Sequence, residues 1–292
     1  MSGASSVTRP VAAGDGARPV VAVLMCVHAG ADPAHFAAAL ASLQQQSYSA
    51  LRLFVYVDGP VGVAHEAVLA RLRPGSGGDR LLRGERPAGL PTGLNALIDA
   101  ALDDPSVALL ARMDADDIAV PERMEHQVRF LAERPEVDAA GSWCIEFSED
   151  GVPLFHKRLP LDHAALTRFM LYRSPFNHPT VMVRRAVFAS GLRYDARLRV
   201  MQDYDLWARM VIAGYTLGNV PAYLLWFRVE QDFYKRRAGL SRALREIAMR
   251  RDYARATGLL RLANYPRYAG LVAVRVAPVF LKKLSYKYLR TA

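Results

Sequence analysis

Asp114, Asp116 and Asp117 place three carboxylates within four residues, directly after the apolar run Val107 to Leu110. Carboxylates crowded this closely repel one another, and burying them unpaired is costly. A divalent cation relieves both penalties. Hard oxygen donors suit Mg2+ or Mn2+, ions that usually share their coordination sphere with substrate phosphates. The same residues also suit an acidic surface loop ahead of the next helix, for which Pro121 offers a first-turn proline. The elements around them have to decide between the two.

Val20 to Val27 is a continuous, valine-rich apolar run and reads as a central parallel strand. It ends at His28. Asp32 then offers an N-cap and Pro33 a first helical position, with Phe36, Leu40 and Leu43 following at helical spacing. Leu51 to Val57 reads as a second strand and runs into the turn signal Asp58-Gly59-Pro60. A helix over Val63 to Arg73, a short strand at Arg80 to Arg83 and a helix over Thr92 to Leu102 follow, and the strand Val107 to Met113 delivers the acidic group. Alternating strands and helices predict an α/β fold with a right-handed, doubly wound, mostly parallel sheet. Such sheets bind ligands at the carboxyl ends of their strands, and His28, Asp58 and Asp114 all fall at predicted strand ends.

Beyond Pro121 the pattern predicts a helix stopped by Pro135, an extended stretch Val137 to Phe147, a turn at Glu149-Asp150-Gly151 and a helix over Asp162 to Tyr172. Asn177-His178-Pro179-Thr180 opens an extended run to Arg184. Gln202-Asp203-Tyr204-Asp205 precedes a helix over Leu206 to Ala213, closed by Gly214, and Asp203 suits the N-cap there. Tyr223 to Val229 is strand-like, and Leu240 to Gly258 reads as an Arg-rich helix.

The chain of 292 residues, 52% hydrophobic and 23% charged, has the composition of a folded globular protein. Its two cysteines, Cys26 and Cys144, have no paired spacing, which argues against a disulfide framework or zinc site and for a reducing compartment. The net charge of +10 is uneven: the stretch from Arg228 onward carries +12 and the rest −2. A basic C-terminal region points to an anionic partner surface. Lys282, Lys283, Lys287 and Arg290, set among Leu284, Tyr286, Tyr288 and Leu289, suit an interfacial helix on anionic lipid. Residues 1–18 lack the apolar core of a signal peptide and read as a disordered tail. Leu271 to Leu281 is interrupted by Arg275 and Pro278 and is shorter than the about 20 residues of a membrane span.

Several segments together resemble glycosyltransferase family 2, with its GT-A fold: VVAVLMCVHAG through YVDGP, GLPTGLN with ARMDADDIAVPERMEHQ, and HPTVMVRR with MQDYDLWARM and LLWFR. The match in order and spacing covers roughly residues 20 to 230, and the combination is far more specific than any one piece. The resemblance implies a metal-dependent, inverting transfer of sugar from a nucleotide sugar, with uracil as base, to a hydroxyl acceptor in cell-surface polysaccharide or lipid-linked glycan synthesis. It implies that Asp58 binds the base, Asp114 the ribose side and Asp116 the metal, Mn2+ or Mg2+, while Asp203 is the general base. Gly93 and Asn95 would lie near the nucleotide, and Arg112 beside the diphosphate, where a guanidinium fits. His28 would stack on or bond the base, and His178 would join the site. Asp117 and Asp205 are expected to be structural, and Trp207 a pocket wall or core residue.

Three departures stand out. Val57 replaces the first of two aspartates common at the second strand's end, Cys26 replaces a common proline, and Gln202 replaces the glutamate before the catalytic aspartate. Losing that negative neighbour should lower the pKa of Asp203. The resemblance divides the chain into a tail (1–18), a GT-A domain (19–230) and a basic helical region (231–292), in the cytoplasm and peripheral on the inner face of the membrane. Two other classes compete. A nucleotidyltransferase should carry a basic Gly-rich loop after the first strand, which HAGADPAH lacks. A nucleic-acid-binding protein should interleave basic and stacking aromatic residues on one platform, whereas here the charge is terminal and the acidic group repels phosphate, so no nucleic acid is expected.

Overall fold

The computed structural model describes residues 18–75, 78–229 and 239–276. Val20–Val27 (β1) is buried over most of its length because it lies inside the sheet with helices on both faces, which its valine run anticipates. Leu51–Val57 (β2) and Val107–Asp114 (β4) flank it in parallel register, and Arg80–Arg83 (β3) extends the sheet beyond β2. The connections are helical: Pro33–Gln44 (α1), Val63–Leu69 (α2) and Leu90–Leu102 (α3). Asp32 caps α1, its Oδ1 accepting from the amides of Ala34 and His35, and Pro33 opens the helix.

After β4 come Ile118–Ala119 (β5), Arg123–Glu133 (α4), Ala139–Phe147 (β6), Pro153–Lys157 (β7), His163–Phe169 (α5), the 3-10 turn His178–Thr180, Met182–Arg184 (β8), Arg185–Ala189 (α6), Gln202–Ile212 (α7) and Leu217–Arg228 (β9). The strand order is β3-β2-β1-β4-β8-β6-β9-β5, with β7 on β6. β8 runs antiparallel to both β4 and β6, so it joins two parallel units, β3-β2-β1-β4 and β6-β9. β5 pairs antiparallel with the end of β9, Ile118 opposite Trp226. The chain just after Asp114 is thereby fastened to the last residues of β9. The result is a mixed, mostly parallel, curled sheet.

One side of the sheet packs Phe36, Leu40, Val68, Met124 and Leu131 from α1, α2 and α4. The other packs Leu94, Ile98, Leu166, Val187, Leu206 and Trp207 from α3, α5, α6 and α7. Leu240–Ala256 (α8) joins this second side: Tyr253 and Ala254 are in the same cluster, and Glu246 and Arg250 are buried with it. Asn264–Val276 (α9) packs beside α8.

Several boundaries differ from the sequence reading. α7 begins at Gln202, preceded by Met201 in a left-handed conformation (φ 63°, ψ 15°), so Asp203 lies in the first turn and is not the cap. β9 starts at Leu217, six residues before the strand-like run. Pro121 sits in the turn ahead of α4, and α2 stops at Leu69. Among the described residues no helix is long and apolar enough to cross a membrane. Most of the expected disordered tail and the stretch with Lys282, Lys283, Lys287 and Arg290 lie outside the described residues.

Candidate active site

The acidic turn is built at the seam between β4, β5 and β9. One oxygen from each of Asp114, Asp116 and Asp117 lies within 4.8 Å of the others. Arg112, on β4 and 4% exposed, forms an ion pair with Asp114 Oδ1. Burial disfavours its charge, but Asp114, Cys26 and Tyr194 together outweigh this and the net shift of the guanidinium pKa is upward. Asp117 is fully buried. Its Oδ1 accepts from the Arg228 amide at 2.8 Å, while Oδ2 finds no partner among the described residues. Burial, followed by the charges of Asp114 and Asp116, pushes its pKa well above the carboxylate range. Arg228 Nε also donates to the Asp116 carbonyl at 2.9 Å, and its guanidinium lies 4.5 Å from the centre of the Phe147 ring. Three carboxylates converging on one turn form an all-oxygen donor set of the kind that fits a hard divalent cation.

Asp58 stands just past β2, where its two oxygens accept the amides of Ala88 (2.7 Å) and Gly89 (3.0 Å) ahead of α3. The neighbouring Gly59 takes φ +84° against Pro87, a turn that a side chain would obstruct. His28 is exposed beyond β1, its Nδ1 accepting from the Gly30 amide at 3.0 Å, so the neutral ring carries its proton on Nε2. His28, Asp58 and the acidic turn therefore share the carboxyl edge of the parallel strands. Gly93 does not open onto this edge. It is buried in α3, against Tyr56 and Cys26. Asn95 spends its amide on the main chain of Tyr194, donating to its carbonyl at 2.8 Å and accepting from its N–H at 2.9 Å.

Tyr194 is the meeting point of the distant segments. Its hydroxyl lies 2.9 Å from His178 Nε2. Burial raises its pKa, Arg112 opposes the rise, and Asp203, Cys26 and Asp114 add to it. Asp203 from α7 and Asp114 from β4 thus act on one hydroxyl group. Burial and Arg112 lower the His178 pKa well below the usual histidine value, so the ring is neutral near pH 7. Burial raises the Cys26 thiol to about 12, which leaves it protonated. Asp205 is paired with Arg209 at 2.6 Å, and Trp207 is 1% exposed in the core, edge-on to Phe176 and His178. The Oε1 of Gln202 is buried with no partner among the described residues.

The chain matches the family model of Glycosyl transferase family 2 over residues 23–192. It is 31% identical to the amylovoran biosynthesis glycosyltransferase AmsE of Erwinia amylovora over 91% of this chain and 97% of that protein. The protein belongs to glycosyltransferase family 2. A second relative, from Escherichia coli, is named UDP-Gal:alpha-D-GlcNAc-diphosphoundecaprenol beta-1,3-galactosyltransferase and is 26% identical over 92% of this chain and 94% of its own length. In fold, the mannosyltransferase PcManGT of Pyrobaculum calidifontis in complex with GDP-Man and Mn2+ superposes with a TM-score of 0.62 at 15% identity, covering 94% of this chain and 83% of that one. S. aureus TarS 1-349 in complex with UDP-GlcNAc gives 0.59 at 13% identity, covering 93% and 85%. This family 2 glycosyltransferase therefore has the GT-A fold.

Sequence reasoning missed Tyr194 and Arg228. Both act through partners far away along the chain, Asn95 and His178 for the first and Asp116 and Asp117 for the second, so no local pattern marks them.

Proposed function

We propose that this glycosyltransferase moves a sugar from a UDP-sugar to a hydroxyl of a lipid-linked glycan acceptor, with inversion and with a divalent cation. The observation that carries the reading is the three-carboxylate turn at the carboxyl edge of the parallel strands, beside His28 and Asp58. The E. coli relative, whose name contains both a UDP donor and a diphosphoundecaprenol acceptor, supports the choice of donor and acceptor class.

In this reading Asp58 recognises the base. Its oxygens accept two amides but keep lone pairs for an imide N–H. His28 Nε2 donates to the nucleotide, Asp114 binds the ribose, and Arg112, buried behind it, holds Asp114 in place. Asp116 would hold the cation, Mn2+ or Mg2+, which when bound neutralises charge on the departing diphosphate. Asp203 removes the acceptor hydroxyl proton as that oxygen bonds to the anomeric carbon from the face opposite the diphosphate, whose bond to the sugar breaks. Its place in the first turn of α7 stabilises the carboxylate it needs to be. One catalytic carboxylate suffices here, unlike the pair required for glycoside hydrolysis. A position on the inner face of the membrane suits such an acceptor.

The test is a pair of substitutions. Asp203→Asn should lower turnover by at least about 100-fold, the scale of a lost general base, while UDP binding by calorimetry is kept. Asp116→Ala should make UDP affinity insensitive to Mn2+. Near-normal turnover in the first, or an unchanged Mn2+ effect in the second, would overturn the corresponding role.

A further inference from the structure

Away from the acidic turn, the β6-β7-β9 face carries a group of side chains that the transfer chemistry above does not use. Trp143 and Tyr223 are partners across β6 and β9, ring centres 5.3 Å apart and inclined at 53°. The ladder shifts register on both sides of this pair, between Ser142 and Trp143 and between Trp143 and Cys144. Bulges of this kind re-aim side chains and recur next to active sites. Pro221 marks the interruption on β9, where it offers no amide to the ladder. His156 on β7 is exposed and packs edge-on against Tyr223 at 5.3 Å. Arg158, also exposed, lies 5.1 Å from the Trp143 ring centre and 5.8 Å from that of Tyr223, and its Nε donates to the Tyr223 hydroxyl at 2.7 Å. Trp143 is itself fixed, its Nε1 donating to the Leu159 carbonyl at 2.9 Å.

This group is continuous with the site. Ser142, next to Trp143, accepts the side-chain amide of Asn177 at its carbonyl and donates its own amide to Thr180 Oγ1, so Trp143 adjoins the turn that holds His178. In the other direction along the same strands, Phe147 meets Trp226 edge-on and lies under Arg228, which holds the acidic turn.

We propose that Trp143, Tyr223, His156 and Arg158 form an acceptor subsite that seats a pyranose ring next to an anionic phosphate substituent. The proposal rests on the glycosyl-transfer reading and names the chemistry of its acceptor. A pyranose has a C–H face that packs on aromatic rings and a rim of hydroxyls. Half-exposed indole and phenol rings held rigid by their own hydrogen bonds match that face. A guanidinium has five N–H donors in a planar fork suited to phosphate, and Arg158 has committed one of them, Nε, to Tyr223.

The probes are methyl α-glycosides of glucose, galactose and N-acetylglucosamine, and the corresponding sugar 1-phosphates. Saturation-transfer NMR would be recorded with UDP and the diamagnetic Mg2+ saturating the donor site. The 1-phosphates should bind more tightly than the methyl glycosides, with the strongest transfer to ring C–H protons. Arg158→Ala should weaken the 1-phosphates about tenfold, a step of one decade in affinity, and leave the methyl glycosides unchanged. Trp143→Ala should abolish transfer to both, and His156→Ala, at an exposed position, should weaken both without disturbing the fold. No saccharide signal in the wild-type protein, undiminished signals in Arg158→Ala and His156→Ala, or displacement by inorganic phosphate alone with no ring contact would each overturn the subsite. Calorimetry with UDP reads the donor site separately, so failure of the donor reading is distinguishable from failure of the subsite.

Discussion

At the residue scale the site depends on keeping like charges apart. Arg112 is buried among groups that would each prefer a different neighbour: Asp114 wants its charge, His178 does not. The conflict is resolved by leaving His178 neutral, bonded through Nε2 to the Tyr194 hydroxyl and packed edge-on against Trp207. A histidine whose pKa is lowered by folding binds fewer protons in the native state than in the unfolded chain. Its contribution to stability is therefore complete above the unfolded value of about 6.5 and is lost as pH falls toward the folded value. His178→Asn should cost about 1–2 kcal/mol near pH 7.5, for the lost hydrogen bond and ring packing. That deficit should narrow at about pH 5.5, where the unfolded wild-type chain gains a histidine proton that the buried ring does not take up, a penalty the variant lacks. Urea unfolding of both proteins at the two pH values measures this, and a deficit independent of pH would contradict it.

At the element scale, α3 is held closer to the sheet than a side chain at its contact point permits. A Cβ on Gly93 would stand 2.6 Å from Tyr56 Cδ1 and 2.9 Å from Cys26 Sγ. Alanine is the better helix former by about 1 kcal/mol, yet overpacking at a tight contact costs about 1–3 kcal/mol. Gly93→Ala should accordingly destabilise the protein by about 1 kcal/mol and weaken UDP binding, because the start of α3 is where Asp58 grips Ala88 and Gly89. A neutral or stabilising outcome in chemical denaturation would show that the helix is not so constrained. This is also where the sequence is least transparent. β1, β2 and β3 match the sequence reading residue for residue. β1 and β2 are legible because central parallel strands are uninterrupted apolar runs. The first part of β9 escapes the same reading because Gly218, Asn219 and Pro221 break its pattern. Asn219 is fully buried there, its Nδ2 donating to the carbonyls of Pro160 and Pro175, contacts visible only in three dimensions. His28, Asp58 and Asp114 could be placed at strand ends from the sequence alone. Asn95 and Gly93 fit the same motif, but their packing partners, Tyr194, Tyr56 and Cys26, are set by tertiary contacts that no spacing encodes.

At the scale of the whole molecule, α8 is joined to the rest of the fold by the Arg250 guanidinium, which a buried ion pair on the same helix holds in place. Arg250 and Glu246, one turn apart on α8 and both under 5% exposed, meet at 2.7 Å. Arg250 also donates to the Met170 carbonyl at 2.9 Å and lies 4.7 Å from the ring centre of Tyr204, the residue next to Asp203. A buried pair adds little net stability over well-packed apolar side chains, but removing one member strands the other's charge. Glu246→Ala should therefore destabilise the protein by about 3–5 kcal/mol and lower turnover by loosening α7 beneath Asp203. The double change Glu246→Leu with Arg250→Met removes both charges, and the Met170 carbonyl keeps the Tyr204 hydroxyl as donor at 2.9 Å. It should recover stability to within about 1 kcal/mol of wild type and restore turnover with it. Urea unfolding and steady-state rates on the three proteins measure both effects. A mild single substitution, or a double variant weaker than the single, would mean that α8 is fastened to the catalytic half by its apolar face, Ala243, Tyr253 and Ala254, and not by the pair.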